Sequence, residues 1–288
     1  MNKYFFNILL LFVFLITPAA RADGPARWTL SDEDTTVHIT GTIHLVKPGL
    51  NWMDTDTKKL IEGADALILE LDESQMSPGI MQPLALKYGM LPADQSLKTV
   101  LGDVLFGEFV AAFGGAIPAQ ALDRMQPWMA SVTLITITYM QAGYDPNAGA
   151  DKSYMALAKA AGVAIQGLEK AEDQLKALAT LADSDAKAFV RMTLDQKEEA
   201  LTSIDAMTTA WLDGDDAALA DILNKGFKDH AGLAESLLFA RNRNWAEQVN
   251  DLMKRPGTFV IAVGAGHLVG EQNLVLLLRQ QGWRVARQ

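Results

Sequence analysis

Two of the four histidines in this sequence share one setting. His44 closes the run Val37-His38-Ile39-Thr40-Gly41-Thr42-Ile43-His44, and His267 closes Phe259-Val260-Ile261-Ala262-Val263-Gly264-Ala265-Gly266-His267. Each is an apolar, β-branched stretch ending in Gly-x-x-His. Two imidazoles with a carboxylate form a standard ligand set for a divalent metal, with positions left for water or substrate. Taken singly, a Gly-x-x-His is also what a packed, hydrogen-bonded loop histidine looks like, and both readings stand on pattern alone. Glu70 is the carboxylate to pair with them, because it ends the apolar run Leu67-Ile68-Leu69. A buried carboxylate costs several kcal/mol unless a cation or donors meet it. It is read either as a third ligand or as a general base, against the plainer reading of an acid paired with an arginine or reaching solvent.

Three further residues are candidates. Glu169 follows Val163-Ala164-Ile165-Gln166-Gly167-Leu168 much as Glu70 follows its own run. It is either a second carboxylate of the site or an acid favoured in the first turn of the next helix. Arg241, Asn242 and Trp245 lie in one helical stretch, with Arg241 and Trp245 on one face. Arg241 and Asn242 are read as supporting a site carboxylate or a substrate carbonyl; the alternative is a solvated helix face with Trp245 turned inward. His38 and His230 are read as a surface and a cap residue.

The elements that must position these groups follow from periodicity. Alternating apolar runs predict a hairpin over 28–30 and 36–40 and strands at 65–72, 163–169, 258–263 and around 283–285. Between them the chain reads as helical, over roughly 54–63, 77–88, 96–113, 118–142, 151–161, 170–181, 184–213, 215–227, 232–254 and 271–281. The fold class is α/β, a central β-sheet formed by the N- and C-terminal segments with a large helical insertion over roughly 77–254. Residues at the C-terminal ends of such strands are where ligands bind in open α/β sheets.

With 288 residues, 49% of them hydrophobic, the chain can bury a sizeable core. Met1 to Ala22 reads as a secretory signal, with a basic start, an apolar run from Tyr4 to Thr17 and an Ala20-Arg21-Ala22 cleavage site. Export to the periplasm or beyond the cell is therefore expected, with cleavage after Ala22, a mature domain over 23–288 and no stable membrane insertion afterwards. The absence of cysteine excludes thiolate nucleophiles, thiolate metal sites and disulfides. The net charge of −10 argues against nucleic acid as a partner. There is no Gly-x-Ser-x-Gly, P-loop or His-Glu-x-x-His motif.

These residues resemble the TraB/GumN family, which includes the Tiki metalloproteases. The matching pieces are Gly41-Thr42-Ile43-His44, Leu67-Ile68-Leu69-Glu70, Gly149-Ala150-Asp151, Gly167-Leu168-Glu169, Arg241-Asn242-x-x-Trp245, Val263 to Gly270 and Gly282-Trp283-Arg284-Val285. The resemblance implies a divalent-cation-dependent peptidase with manganese or cobalt as activators. It implies His44, Glu70 and His267 as metal-site residues, with Arg241 and Asn242 in support. The Tiki substrate, an animal signalling protein, is not carried over to a chain with this export signal. The expected function is an exported metal-dependent hydrolase acting on a peptide or small molecule. The alternative is a non-catalytic periplasmic protein binding a peptide or small ligand in the same cleft.

Overall fold

The computed structural model describes residues 24–182, 186–227 and 231–288. The signal segment and His230 lie outside the described residues. In chain order come β1 (Arg27–Ser31), β2 (Thr35–Thr42), α1 (Thr55–Glu62), β3 (Ala66–Leu69), α2 (Pro78–Gly89), α3 (Leu97–Leu101), α4 (Asp103–Ala112), α5 (Ala119–Leu122) and α6 (Pro127–Gln141). Then follow α7 (Ala150–Ala161), β4 (Ala164–Gly167), α8 (Ala171–Ala182), α9 (Ala186–Leu212), α10 (Asp216–Phe227) and α11 (Ala231–Ala234). A π-helical turn (Glu235–Phe239) leads into α12 (Ala240–Leu252), and β5 (Gly257–Gly264), a 3-10 turn (Ala265–His267), α13 (Leu274–Gln280) and β6 (Ala286–Arg287) complete the chain.

The six strands form one sheet in the order β4-β3-β5-β2-β1-β6. The fold class is as expected: mixed α/β, with N- and C-terminal strands at the heart of the sheet and a long helical middle. The four strands β4, β3, β5 and β2 are parallel, and β1 and β6 add antiparallel pairs at one edge. β2 and β5 pair along their whole length, from Thr35 opposite Gly257 to Thr42 opposite Gly264. Both Gly-x-x-His motifs therefore leave the sheet side by side at the same edge. Leu69 lies opposite Ala262 on one side and Gly167 on the other, so Glu70 and Glu169 emerge at that edge too.

Alternation along the strands divides the core into two layers. Ile39, Ile68, Phe259 and Ile261 pack with Trp245 and Val249 of α12 and Leu274 and Leu278 of α13. Leu67, Leu69, Val260 and Ala262 pack on the other face with Ile61 of α1, Tyr154 of α7, Trp211 of α9 and Leu219 of α10. A separate apolar cluster, including Leu97, Phe109, Phe113, Leu134 and Val190, holds the outer helices together.

Several sequence boundaries move for local reasons. The helix expected over 96–113 breaks at Gly102, whose φ of 83° reverses the chain. The one expected over 118–142 stops at Leu122 and restarts at Pro127, a favoured first helical residue. That expected over 232–254 contains the π turn. The helix expected from 271 starts at Leu274, where Asn273 caps the Leu276 N–H. The last strand lies beyond 283–285, because Trp283 N–H still bonds the α13 carbonyl of Leu278 and the Val285 carbonyl accepts from Arg279; pairing with β1 begins at Ala286.

Candidate functional site

Arg241 is the hub at the C-terminal edge of the sheet. It projects from the first turn of α12, with its guanidinium over the Trp245 ring, 4.7 Å from the centroid. All five of its N–H donors are engaged. Nη2 donates to Glu70 Oε2 at 2.5 Å and to Glu169 Oε1, and Nε donates to Glu169 Oε2 at 3.1 Å. Nη1 donates to the Leu237 carbonyl at 2.9 Å and lies 3.1 Å from His267 Nε2. The planar fork suits this divergent demand as a lysine ammonium would not. The plainer reading of Arg241 as a solvated helix residue is overturned.

Glu70 continues the Ile68 face of β3, toward α12. Its Oε1 accepts from the Gly264 N–H at 2.7 Å, and Gln174 Nε2 donates to Oε2 at 3.1 Å. Burial pushes this carboxyl up, but the charges of His267, Arg241 and His44 and the Gly264 N–H outweigh it and hold it down at about 2. Glu70 is thus an anion throughout the ordinary pH range. That suits a ligand or a fixed negative charge better than a proton acceptor. Glu169, left open between two roles by its sequence, belongs to the site: it shares both Arg241 and Gln174 with Glu70, and its side chain is 5% exposed.

His267 is buried in the 3-10 turn after β5. Its Nδ1 lies 2.7 Å from Asn242 Oδ1, while Asn242 Nδ2 donates to the Gln272 carbonyl. Asn242 therefore offers an acceptor, the proton sits on Nδ1, and Nε2 carries its lone pair toward Arg241 and, at 3.8 Å, Glu70 Oε1. Burial, with Arg241 and His44 nearby, drives its pKa down to about 3 against the pull of Glu70. The ring also packs on Trp245, with centroids 4.3 Å apart. Asn242, expected as a supporting residue, holds the His267 ring through its Nδ1.

His44 stands apart from this buried group, with 59% of its side chain exposed. Its Nδ1 is 3.4 Å from Asp151 Oδ1 at the start of α7, and the hydrogen bond to Asp151 raises its pKa. His44, Glu70, Asp151, Thr42 and Gln174 line one small pocket of about 70 Å³. His38 proves half-buried, bonded through Nδ1 to the Thr29 hydroxyl on the far reach of the β1–β2 hairpin. Gly41 serves close packing within β2: a Cβ there would lie 3.0 Å from the Ala265 Cβ.

The donor chemistry is that of a borderline or hard divalent ion: imidazole nitrogen, carboxylate and hydroxyl oxygen. Thr42 Oγ1 is buried at the pocket without a hydrogen-bond partner, and Asp151 Oδ1, also buried, meets His44 Nδ1 only at a long 3.4 Å; such atoms call for a water, ion or ligand group. Glu70 Oε1 and His267 Nε2 are close enough to face a common ion. Among the described residues no three His, Cys, Asp or Glu side chains close on one point, since the Arg241 guanidinium fills the space between Glu70, Glu169 and His267. The set fits a metal in composition, with Arg241 as the resident cation. Sequence reasoning gave no role to Asp151, Gln174, Thr42 or the Gly264 N–H. Their local signals were a helix N-terminal acid, a residue one turn into α8, and positions inside the first Gly-x-x-His motif and at the end of β5, beside the places of Thr42, Asp151 and Gly264 in the stretches that carry the family resemblance.

Glu70, Glu169, Arg241 and His267 thus form a buried cluster at the strand edge of an α/β protein, with His44 beside it, gathered from both ends and the middle of the chain. The chain matches the TraB/PrgY/gumN family over residues 26–287 and belongs to it. It is 26% identical over 249 residues, 84% of this chain and 87% of the other, to the uncharacterized protein YbaP of Escherichia coli (strain K12). The uncharacterized protein YbaP of Shigella flexneri matches to the same extent. A stretch of 57 residues, 19% of this chain and 11% of the other, is 37% identical to a metalloprotease TIKI homolog of Amphimedon queenslandica. No significant match to a solved structure is found.

Proposed function

We propose that this protein is an exported metal-dependent hydrolase, with peptides as its substrate class. The observation that carries the reading is the pocket at the C-terminal strand edge, where His44, the anionic Glu70, Asp151 and the unpartnered Thr42 oxygen meet. The partial similarity to a metalloprotease supports the choice of peptidase. His44, Glu70 and His267 would hold the ion, which would have to displace the Arg241 Nη1–H from His267 Nε2. Once bound, a divalent ion supplies a Lewis acid and a bound water of lowered pKa. Glu70 contributes fixed negative charge, and Asn242 keeps the His267 lone pair aimed into the site. Arg241 holds both glutamates in register through Nη2 and Nε. Asp151 fixes the ring of His44, the exposed residue through which substrate enters. Residues 1–22 would direct the protein to the periplasm or medium and be removed after Ala22. No nucleic-acid partner and no stable membrane insertion are proposed.

The test is metal content by elemental mass spectrometry with peptide hydrolysis, for wild type, His44→Ala and His267→Ala. Near-stoichiometric metal in the wild type after Mn²⁺ or Co²⁺ loading, lost in both variants together with hydrolysis, is expected. A wild type that takes up no metal and cleaves no peptide would overturn the reading. The engagement of Arg241 with Glu70, Glu169 and His267 favours one second reading, a metal-free hydrolase in which the His44–Asp151 pair polarises water. It predicts undiminished turnover in chelator. A protein that binds peptide indifferently to chelator, without turnover, would instead be the non-catalytic binder.

A further inference from the structure

An uncharged groove of about 360 Å³ runs through the helical insert beside the site. Its walls include Trp128 and Ile135 of α6 and Phe189 and Met192 of α9. Its ends are what connect it to chemistry. Leu45 is the residue after His44, and Leu237 is the π-turn residue whose carbonyl accepts from Arg241. None of the described residues lining the groove is charged. Val132 lies on its rim, 41% exposed. The groove is not all apolar. Ser131 is 2% exposed and lines it, and its Oγ is buried with no hydrogen-bond partner. Thr136, Tyr139, Thr193 and Gln196 add further hydrogen-bonding side chains.

We infer that this groove is the specificity subsite of the protein and takes the apolar side chains of an extended peptide segment flanking the reacting bond. This rests on the peptidase reading of the adjoining site. The size is at the lower end of ligand pockets, about 300–1,000 Å³, and exceeds what a single small side chain fills. The absence of charge selects against charged residues, whose desolvation nothing in the groove would repay. Gln196 decides between the two apolar occupants. It is exposed in the lining; a peptide carries an N–H or C=O to pair with its amide at every residue, whereas an acyl chain would strip that amide of water and leave it unsatisfied. Continuity with Leu45 and Leu237 places one end of the segment within reach of His44 and Arg241.

The experiment is fluorescence anisotropy of two dye-labelled decapeptides of equal charge, one rich in Leu and Phe, the other in Ser and Asn. Binding is read in chelator and in Mn²⁺, with the full protein and its Val132→Asp and Gln196→Ala variants. Val132 is on the rim, so the aspartate tests the groove and leaves the fold intact; a circular dichroism melt checks this. Tighter binding of the apolar peptide by at least about tenfold is expected. That preference should vanish in Val132→Asp, and the apolar peptide should bind several-fold more weakly to Gln196→Ala. Equal binding of both peptides, or a preference unchanged in Val132→Asp, overturns the inference. So does oleate displacing the peptide with an affinity that Gln196→Ala leaves unchanged, which would mark an acyl-chain site. Because binding is read without turnover, the two ideas fail separately: a preference with no hydrolysis under any metal sinks only the peptidase reading, and hydrolysis with no preference sinks only the subsite.

Discussion

His267 and Glu70 each depart from their ordinary ionisation, and the departures have opposite origins. The histidine is held neutral by burial, and the glutamate is held charged by its neighbours despite burial. In the unfolded chain histidine titrates near 6.5 and glutamate near 4.3. Between about pH 6.5 and pH 3 the unfolded state therefore binds a proton at position 267 that the folded state refuses, so stability falls as pH falls through that window. Glu70 adds a further loss from about 4.3 down to about 2. His44, raised by Asp151, works the other way, contributing below the unfolded value and losing its contribution as pH rises. Urea midpoints of the chelator-treated protein should drop from pH 7 to pH 4.5, and His267→Gln should drop visibly less over the same range. Equal slopes in the two proteins would show that His267 is not held neutral by the fold.

At the scale of elements, the site depends on how closely α7 approaches the loop after β2. Gly149 precedes α7, and a Cβ there would meet the His44 carbonyl at 2.5 Å and Asp151 Oδ1 at 2.7 Å. Gly149→Ala must push the helix start away from the His44 loop and open the His44–Asp151 pair. A displacement of this order in a catalytic group can cost about 10²-fold in rate. A fall of that size in kcat/KM with an unchanged far-UV spectrum is expected. Gly107→Ala, in α4 where a Cβ meets nothing within 4 Å, should leave both unaltered. Unimpaired turnover in Gly149→Ala would remove His44 from the chemistry. The π turn before α12 acts in a similar way on the other side of the site, since Leu237 holds Arg241 through its carbonyl while its side chain faces the apolar groove.

For the molecule as a whole, the helical insert must be fastened to the sheet for its groove to adjoin the site. Trp211, fully buried near the end of α9, donates from Nε1 to the Gly41 carbonyl at 2.9 Å, across 170 residues. Its ring also packs against Trp52, 5.1 Å away, beneath α7. Trp211→Phe keeps an aromatic ring but leaves that carbonyl without its partner, at a cost of about 1–3 kcal/mol. A denaturant midpoint lowered to match, with the m-value unchanged, is the expected result. No change would mean that the insert is held to the sheet by apolar contact alone.

Much of this arrangement was legible in the residues themselves. Period-two alternation marked β2, β3, β4 and β5, and the glycine after each β-branched run marked where His44 and His267 leave the sheet. Both follow from local sterics and the need to bury one face, which the chain carries in its own order. The ends of the helices were less clear, because Gly102 and the residues before Pro127 break patterns whose apolar content continues across them. What the order of residues could not decide was Glu169, Asp151 and Gln174. Each reads locally as an ordinary helix-terminal or helix-surface polar group. Each acquires its role only when the parallel register of β4, β3, β5 and β2 brings four strand ends level, and when α12 lowers Arg241 between carboxylates that lie 171 and 72 residues away in sequence. Propensity and pattern act over one or two turns of chain, while ion pairing and lone-pair orientation act over a few ångströms of space; only the packed fold makes those two distances meet.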